Sequence, residues 1–365
     1  MDLGKITKPT LILDEQKCRR NIKVMADKAR TSGVIFRPHF KTHQSAEIGT
    51  WFSDEGVKCI TVSSVTMAKY FAECGWNDIT IAFPINLREL KDIEELSHSV
   101  NLNILISDYS QIESLSQNKK LSTGYFIEID TGNKRSGIEW DDVHLIRRML
   151  KNRQLDHSIR FNGFLTHSGH TYNAGSAKEI IDIYHDTLVK MSKLREISDN
   201  RILLSTGDTP SCSLVSNFKG WDEIRPGNFV FYDLTQNLLG SCDFEKIAIA
   251  VACPIVEKNV KRKELIIYGG GVHLSKDSIK MKDGQHIFGK AVHLESGSWT
   301  SLSDSDFLRS LSQEHGIISA SDELFKSVKI GDLVGIIPVH SCMTADLLRQ
   351  YNTQDNRIIS SFSQK

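Results

Sequence analysis

The chain has 365 residues with Lys+Arg and Asp+Glu at 45 each, so its formal charge is zero with His neutral. That balance excludes a nucleic-acid binder whose affinity comes from neutralising phosphates, and 40% hydrophobic with 25% charged residues excludes a disordered or fibrous chain. The seven cysteines (Cys18, Cys59, Cys74, Cys212, Cys242, Cys253 and Cys342) are odd in number and include no CxxC pair, which argues against a disulfide scaffold and for a reducing compartment.

The opening stretch MDLGKITKPT has no apolar run for a signal peptide, so a cytoplasmic location is expected. Asp14 caps a helix expected over 14–30, with apolar positions at Ile22, Val24, Met25 and Ala29. Short runs rich in β-branched residues then alternate with helical patterns. Strands are expected over 34–39, 57–63, 78–85, 103–107, 125–130, 161–167, 201–205 and 223–232, with helices over 65–74, 87–96, 141–150 and 174–197. Such alternation implies parallel pairing through right-handed crossovers. Eight units in about 230 residues fit a (β/α)8 TIM-like barrel; a doubly wound open sheet has the same periodicity and is the competitor.

After residue 245 the texture changes. Runs over 247–256, 264–268, 290–294 and 332–339 read as strands, punctuated by GGG (269–271), KDG (282–284) and SGS (296–298), and helical patterns are weak. We expect a barrel domain over 1–245 and a mainly antiparallel C-terminal β domain over 246–365, the first residues joining either the barrel or the β domain. The longest apolar run, 247–256, contains Pro254 and is too short to span a bilayer.

Barrel enzymes collect function at the C-terminal ends of their strands, and polar residues fall there repeatedly. The first strand runs into RPHFKTH (37–43), the second into Ser63 and Ser64, the third into PIN (84–86) and the fifth into DTGNKRSG (130–137). The sixth runs into HSGHTY (167–172), the seventh into STGDTPS (205–211), and the eighth contains RPGNFVFYD (225–233). Their shared position suggests that they ring one site.

Lys41 is the leading candidate. On an extended chain Lys41 and His43 share a face, and a lysine at an apolar rim loses solvation, which lowers its pKa and favours Schiff-base chemistry. A solvated loop lysine is the alternative. The STGDTPS turn presents backbone N–H groups to an anion before a helix, in the place where barrels bind phosphate; an ordinary turn fits the same residues. His340 and Cys342 follow an apolar strand at i and i+2 and could hold one zinc-like ion with open positions for water and substrate; a packed Cys beside a rim His is the alternative. His167 and His170, with Tyr172, fit acid–base roles or plain core hydrogen bonds equally well. His98, His144, His157, His185, His293 and His315 fall in helical or surface-like segments and receive no role.

Taken together, the RPHFKTH, DTGNKRSG, SGHTY, STGDTPS, RPGNF and HSC stretches resemble, in order and over nearly the whole chain, the D-serine dehydratase and D-threonine aldolase family of alanine-racemase-type pyridoxal-phosphate enzymes. The resemblance implies Lys41 as Schiff-base lysine and base for the Cα proton. It places Arg135 near the cofactor's phenolic oxygen and the substrate carboxylate, and Thr206, Gly207 and Thr209 on the phosphate. Tyr172 would contact cofactor or substrate, and His39, His167 and Tyr232 would complete the cofactor site. His340 and Cys342 would hold a divalent metal, zinc by preference, beside the substrate's 3-hydroxyl, in a homodimer acting on a small D-amino acid. Two chemistries follow. Loss of hydroxide after Cα deprotonation gives a 2-oxo acid and ammonia, whereas removal of the hydroxyl proton gives aldol cleavage. His-x-Cys resembles the dehydratase branch, the aldolase branch more often having a carboxylate at the Cys position. An amino-acid racemase and a non-catalytic pyridoxal-phosphate carrier are the remaining alternatives, the C-terminal domain and HSC arguing against the carrier. Two features depart from the family pattern: the GGGVHLSKD loop (269–277), where His273 belongs either to the substrate pocket or to a turn, and Gln44, where a basic residue is common.

Overall fold

The computed structural model describes residues 1–151, 159–198, 202–295, 298–301 and 303–362. Its first part is built on eight parallel strands, Ile35–Phe36, Ile60–Val62, Asp78–Pro84, Asn101–Ile106, Thr123–Asp130, Ile159–Leu165, Leu203–Thr206 and Glu223–Ile224. From the second onward each pairs with the next, and the eighth pairs with the first. The ring closes where the continuation of the first strand bridges the second at His39 and Thr61. There the Phe40 N–H donates to the Thr61 carbonyl at 2.8 Å and the Thr61 N–H to the Pro38 carbonyl at 2.9 Å. This closure decides for the barrel over the open sheet.

The helices follow from capping and periodicity. Asp14 accepts the Lys17 N–H and starts Glu15–Ser32, and Gly33 ends it at φ 69°, a left-handed conformation that glycine adopts without strain. Cys18, Ile22, Met25, Ala26 and Ala29 form its buried face; Val24, expected inside, is 61% exposed. Helices Ala46–Asp54 and Tyr109–Gln117, nine residues or about two and a half turns each, lie outside the expected set. The eighth strand, expected to reach residue 232, stops at Ile224. Pro226 removes a backbone donor, and a 3-10 turn, Asn228–Val230, follows. Arg201, His157 and most of the 296–298 turn lie outside the described residues.

The second part is a mainly antiparallel sheet built around Ile249–Asn259, Glu264–Tyr268, Gly289–Glu295 and Leu333–Pro338. Phe307–Leu311 and His315–Ser319 extend it; their polar alternation hides them from an apolar-run reading. The strand Thr10–Leu13 pairs antiparallel with residues Ile249 to Ala252 and parallel with Asn352 and Thr353. The first residues therefore join the β domain, and the chain crosses into the barrel only with Glu15–Ser32. Among the described residues no helix is long and apolar enough to cross a membrane.

The barrel interior carries a buried polar ladder. Arg37 pairs with Asp78 and, through Nε at 2.6 Å, with Glu223, which is fully buried. Ser205 donates to Glu223 at 2.6 Å and accepts from Arg225 Nε at 2.7 Å. Arg225 also donates to the Thr166 carbonyl at 2.6 Å. Burial works against the Arg37 charge, but Glu223 and Asp78 keep its pKa raised. Removing one member of such a network strands its partner's charge. Glu223→Ala is expected to destabilise the fold by about 3–5 kcal/mol in reversible urea unfolding, and a loss under about 1 kcal/mol would contradict the ladder's structural role.

Candidate active site

A cavity of about 320 Å³ opens at the C-terminal ends of the strands, a volume suited to a small-molecule ligand. Its wall includes His39, Lys41, Arg135, His167, Tyr172, Gly207, Thr209, His340 and Cys342. Thus six of the loop stretches singled out by sequence reach one pocket. Thr206 ends the seventh strand and contributes its carbonyl to the Arg225 N–H at 2.8 Å, outside the pocket wall. Tyr232 also stands outside: it sits at φ 51° with its buried hydroxyl 3.1 Å from Ser213, behind the helix Thr209–Leu214. His170 does not line the cavity either.

The route to Lys41 differs from a simple strand extension. Residues 40–43 form a turn, so Lys41 and His43 part company. Phe40 enters an aromatic cage, its ring centroid 5.0 Å from those of Phe52, Phe71 and Trp76. His43 is fully buried beside Phe40 and Phe52, accepts the Ser45 N–H at 3.1 Å, and has its pKa pushed down to about 3 by burial. It is a core histidine. Lys41 faces the pocket instead. Its surface opens onto a concave site crowded with protein atoms, so burial lowers its pKa; Arg135 and Arg225 push the same way against an opposing pull from Cys342.

Two of the three pocket-lining histidines, His39 and His167, are held neutral. Burial drives His39 well below its ordinary range, helped by Lys41 and Arg225, and pushes His167 down to about 3. His167 Nδ1 lies 2.5 Å from the Gly207 carbonyl; a carbonyl only accepts, so Nδ1 carries the proton and Nε2 keeps its lone pair. At Gly207 a Cβ would stand 2.9 Å from the Arg225 backbone, so only glycine lets this turn reach the pocket. Asp208, buried, accepts the Ser211 N–H at 2.7 Å, and burial raises its pKa to about 6. Tyr172 accepts the Thr209 N–H; burial first, then Asp208 and Cys342, hold its hydroxyl protonated well above the ordinary range.

Several pocket groups escaped the sequence reading. Glu128 lies on the fifth strand with one carboxylate oxygen accepting from Ser136 at 2.8 Å and the other, Oε2, buried without a hydrogen-bond partner among the described residues. Burial raises its pKa. Asn228 Oδ1 is likewise buried and unpartnered, and Arg225, quoted only as part of a motif, supplies a buried cation. Nothing in the sequence marked Glu128: an isolated Glu two positions before DTG carries no periodicity, and its burial is a property of the fold.

At the β-domain side, His340 sits at the N-terminal boundary of the helix Ser341–Leu348, so Cys342 lies in its first turn rather than on an extended chain. Cys342 Sγ is 3.3 Å from Thr42 Oγ1 and 3.7 Å from Asn228 Nδ2. Burial alone would raise the thiol's pKa, but the His340 hydrogen bond and charge outweigh it and lower it. His340 moves oppositely: burial opposes its charge, yet Cys342, Asp233 and Asp277 raise it to about 10. His340 Nδ1 lies 2.9 Å from Asp277 Oδ2. His273 turns away from the pocket: its Nδ1 accepts the Gly270 N–H at 3.2 Å and its ring packs edge-on to Tyr268. Gln44 donates to Asp346 at 2.9 Å, also off the pocket wall.

These residues meet the demands of pyridoxal phosphate. An amine of depressed pKa projects into a cavity of adequate size, a glycine-dependent turn and Arg225 stand at one wall, and unpartnered buried acceptors await donors. The metal question is separate. Among the described residues no group of three His, Cys, Asp or Glu side chains gathers as a metal site. The donor set here is His340 with Cys342, soft-to-borderline ligands that leave coordination positions free.

A closed parallel barrel with a desolvated lysine beyond its first strand, joined to an antiparallel domain, defines the alanine-racemase type of pyridoxal-phosphate enzyme. A family model described as "Alanine racemase, N-terminal domain" matches residues 13–234, more than half the chain, and one described as "Putative serine dehydratase domain" matches residues 248–353. The D-serine dehydratase of Dictyostelium discoideum is 29% identical over 99% of this chain and 97% of its own length. The D-threo-3-hydroxyaspartate dehydratase of Delftia sp. is 25% identical over 92% and 91%. A cysteine-to-alanine variant of a D-threo-3-hydroxyaspartate dehydratase, solved in its metal-free form, superposes with a TM-score of 0.90 at 23% identity over 100% and 99% of the two chains. The 3-hydroxy-D-aspartate aldolase of Paracoccus denitrificans is 24% identical over 95% and 88%. The chain belongs to the D-serine dehydratase and D-threonine aldolase family of pyridoxal-phosphate enzymes.

Only the neutral amine attacks an aldehyde, so cofactor capture reports the Lys41 pKa. The rate at which cofactor-free protein takes up pyridoxal phosphate is expected to rise with pH to a plateau whose apparent pKa lies below an ordinary lysine's. In Arg135→Ala, with one neighbouring cation gone, that pKa moves up. A profile centred at or above the ordinary lysine value would contradict the desolvated site.

Proposed function

We propose that this protein is a pyridoxal-phosphate- and metal-dependent dehydratase of D-3-hydroxyamino acids, with D-serine as substrate and pyruvate and ammonia as products. The observation that carries this reading is that one cavity holds both Lys41 and the His340–Cys342 pair. Full-length relatives named as dehydratases support it.

The bound cofactor supplies an electron sink for negative charge at Cα. Lys41 anchors it and, with its lowered pKa, serves as the base for the Cα proton. The Gly207–Thr209 turn receives the phosphate and Arg225 adds positive charge behind it. Arg135 binds the substrate carboxylate, while Tyr172, kept protonated, donates a hydrogen bond into the pocket. His340 and Cys342 hold a divalent ion, zinc by donor chemistry, which supplies Lewis acidity at the 3-hydroxyl. A D-threo-3-hydroxyaspartate dehydratase solved metal-free as a cysteine-to-alanine variant supports this assignment, and a thiol at position 342, rather than a carboxylate, favours dehydration over aldol cleavage. The exposed apolar residues Val272, Met343 and Leu347, on the two short helices flanking the metal pair, support a homodimer. Seven free cysteines support a reducing cytoplasm.

The cofactor-loaded protein is expected to release equal amounts of ammonia and pyruvate from D-serine. Chelation or Cys342→Ala should lower kcat/KM by at least about 100-fold, since a Lewis acid is worth several kcal/mol and each 1.4 kcal/mol is about tenfold. Glycine and acetaldehyde from D-threonine in place of these products would assign the aldolase reaction. Full activity under chelator would remove the metal role.

A further inference from the structure

The loop from Gly269 to Asp277, whose sequence departs from the family pattern, ends against the metal pair. It is fastened there by a hydrogen bond from the Cys342 helix and shaped by its own turn. The Thr344 hydroxyl, fully buried on the helix that carries Cys342, donates to the Leu274 carbonyl at 3.3 Å. Ser275, buried and non-glycine, adopts φ 65°, a left-handed conformation that costs about 1–3 kcal/mol unless its surroundings impose it. That turn redirects the chain, and the Ser275 hydroxyl then accepts the Asp277 N–H at 3.2 Å. The result is a carboxylate delivered to one nitrogen of one histidine: Asp277 Oδ2 lies 2.9 Å from His340 Nδ1.

We propose that Asp277 is the positioning residue of the metal site, orienting the His340 ring so that Nε2 is the nitrogen offered to the ion beside Cys342. A histidine ligand's second nitrogen is characteristically donated to a carboxylate, which sets the tautomer and the ring plane and strengthens the ligand. Asp277 Oδ2 engages Nδ1, which leaves Nε2 as the ring nitrogen that would be offered to an ion. Both side chains are part-exposed, 46% for Asp277 and 40% for His340, so the pair contributes little to stability. The inference rests on His340 and Cys342 being the metal ligands.

The test is a Co²⁺ titration of metal-stripped, pyridoxal-phosphate-loaded full-length protein, read from the thiolate-to-cobalt absorption band. Asp277→Ala should weaken the apparent Co²⁺ affinity by about 10–100-fold. Asp277→Asn, whose side-chain oxygen still accepts from Nδ1–H, should recover most of it. Cofactor absorbance and thermal midpoint should match wild type in both variants. Wild-type Co²⁺ affinity in Asp277→Ala overturns the proposal, and so does a parallel loss of cofactor binding or fold, which would make the residue merely structural. Wild-type protein that binds no Co²⁺, or binds it equally well as His340→Ala, overturns the metal reading and this inference with it.

Discussion

The barrel closes through the residues from Arg37 to Phe40, and the chemistry of the pocket depends on that closure. Within this short span the backbone pairs on both sides: Arg37 and His39 donate to Ile224 and Pro226 of the eighth unit at 3.0 Å each, while Phe40 donates to Thr61 of the second at 2.8 Å. Side chains alternate between jobs. Arg37 anchors the buried polar ladder, Phe40 fills an aromatic cage, and His39 and Lys41 face the cavity.

Electrostatics explain why this pocket suits an anionic cofactor and a carboxylate substrate despite a chain of zero net charge. Lys41, Arg135 and Arg225 share one wall system with neutral histidines and a desolvated Glu128 whose pKa is raised. The local field is positive where the global one vanishes. On the opposite side the thiol is drawn toward thiolate by His340 and contacts Thr42 next to the lysine. Lys41 and the His340–Cys342 pair thus face one cavity of about 320 Å³.

Much of this was legible in the sequence because strand-end motifs in a barrel converge by topology. Once eight alternating units were recognised, Lys41, Arg135, Tyr172 and the STGDTPS turn had one place to meet. The misplacements have identifiable causes. His43 was paired with Lys41 by strand periodicity, but the strand ends and a turn sends His43 into the core. Tyr232 was read from its position in the eighth unit, where Pro226 had already broken the strand and left the hydroxyl against Ser213. Asp277 and Glu128 were invisible because their partners are distant in sequence: Asp277 meets His340 across the β domain, and Glu128 acquires meaning only from its burial beside Arg135 and Arg225. The N-terminal strand Thr10–Leu13 was missed for a similar reason, its partners lying near residues 250 and 352.

The central claim is that the desolvated amine of Lys41 is the cofactor's anchor. Borohydride treatment of the pyridoxal-phosphate-loaded protein, followed by peptide mass spectrometry, tests it most directly. The account predicts a reduced pyridoxyl group on the peptide carrying Lys41 and on no other lysine, with Lys41→Ala unlabelled. A label on a different lysine, with Lys41 unmodified, would contradict it.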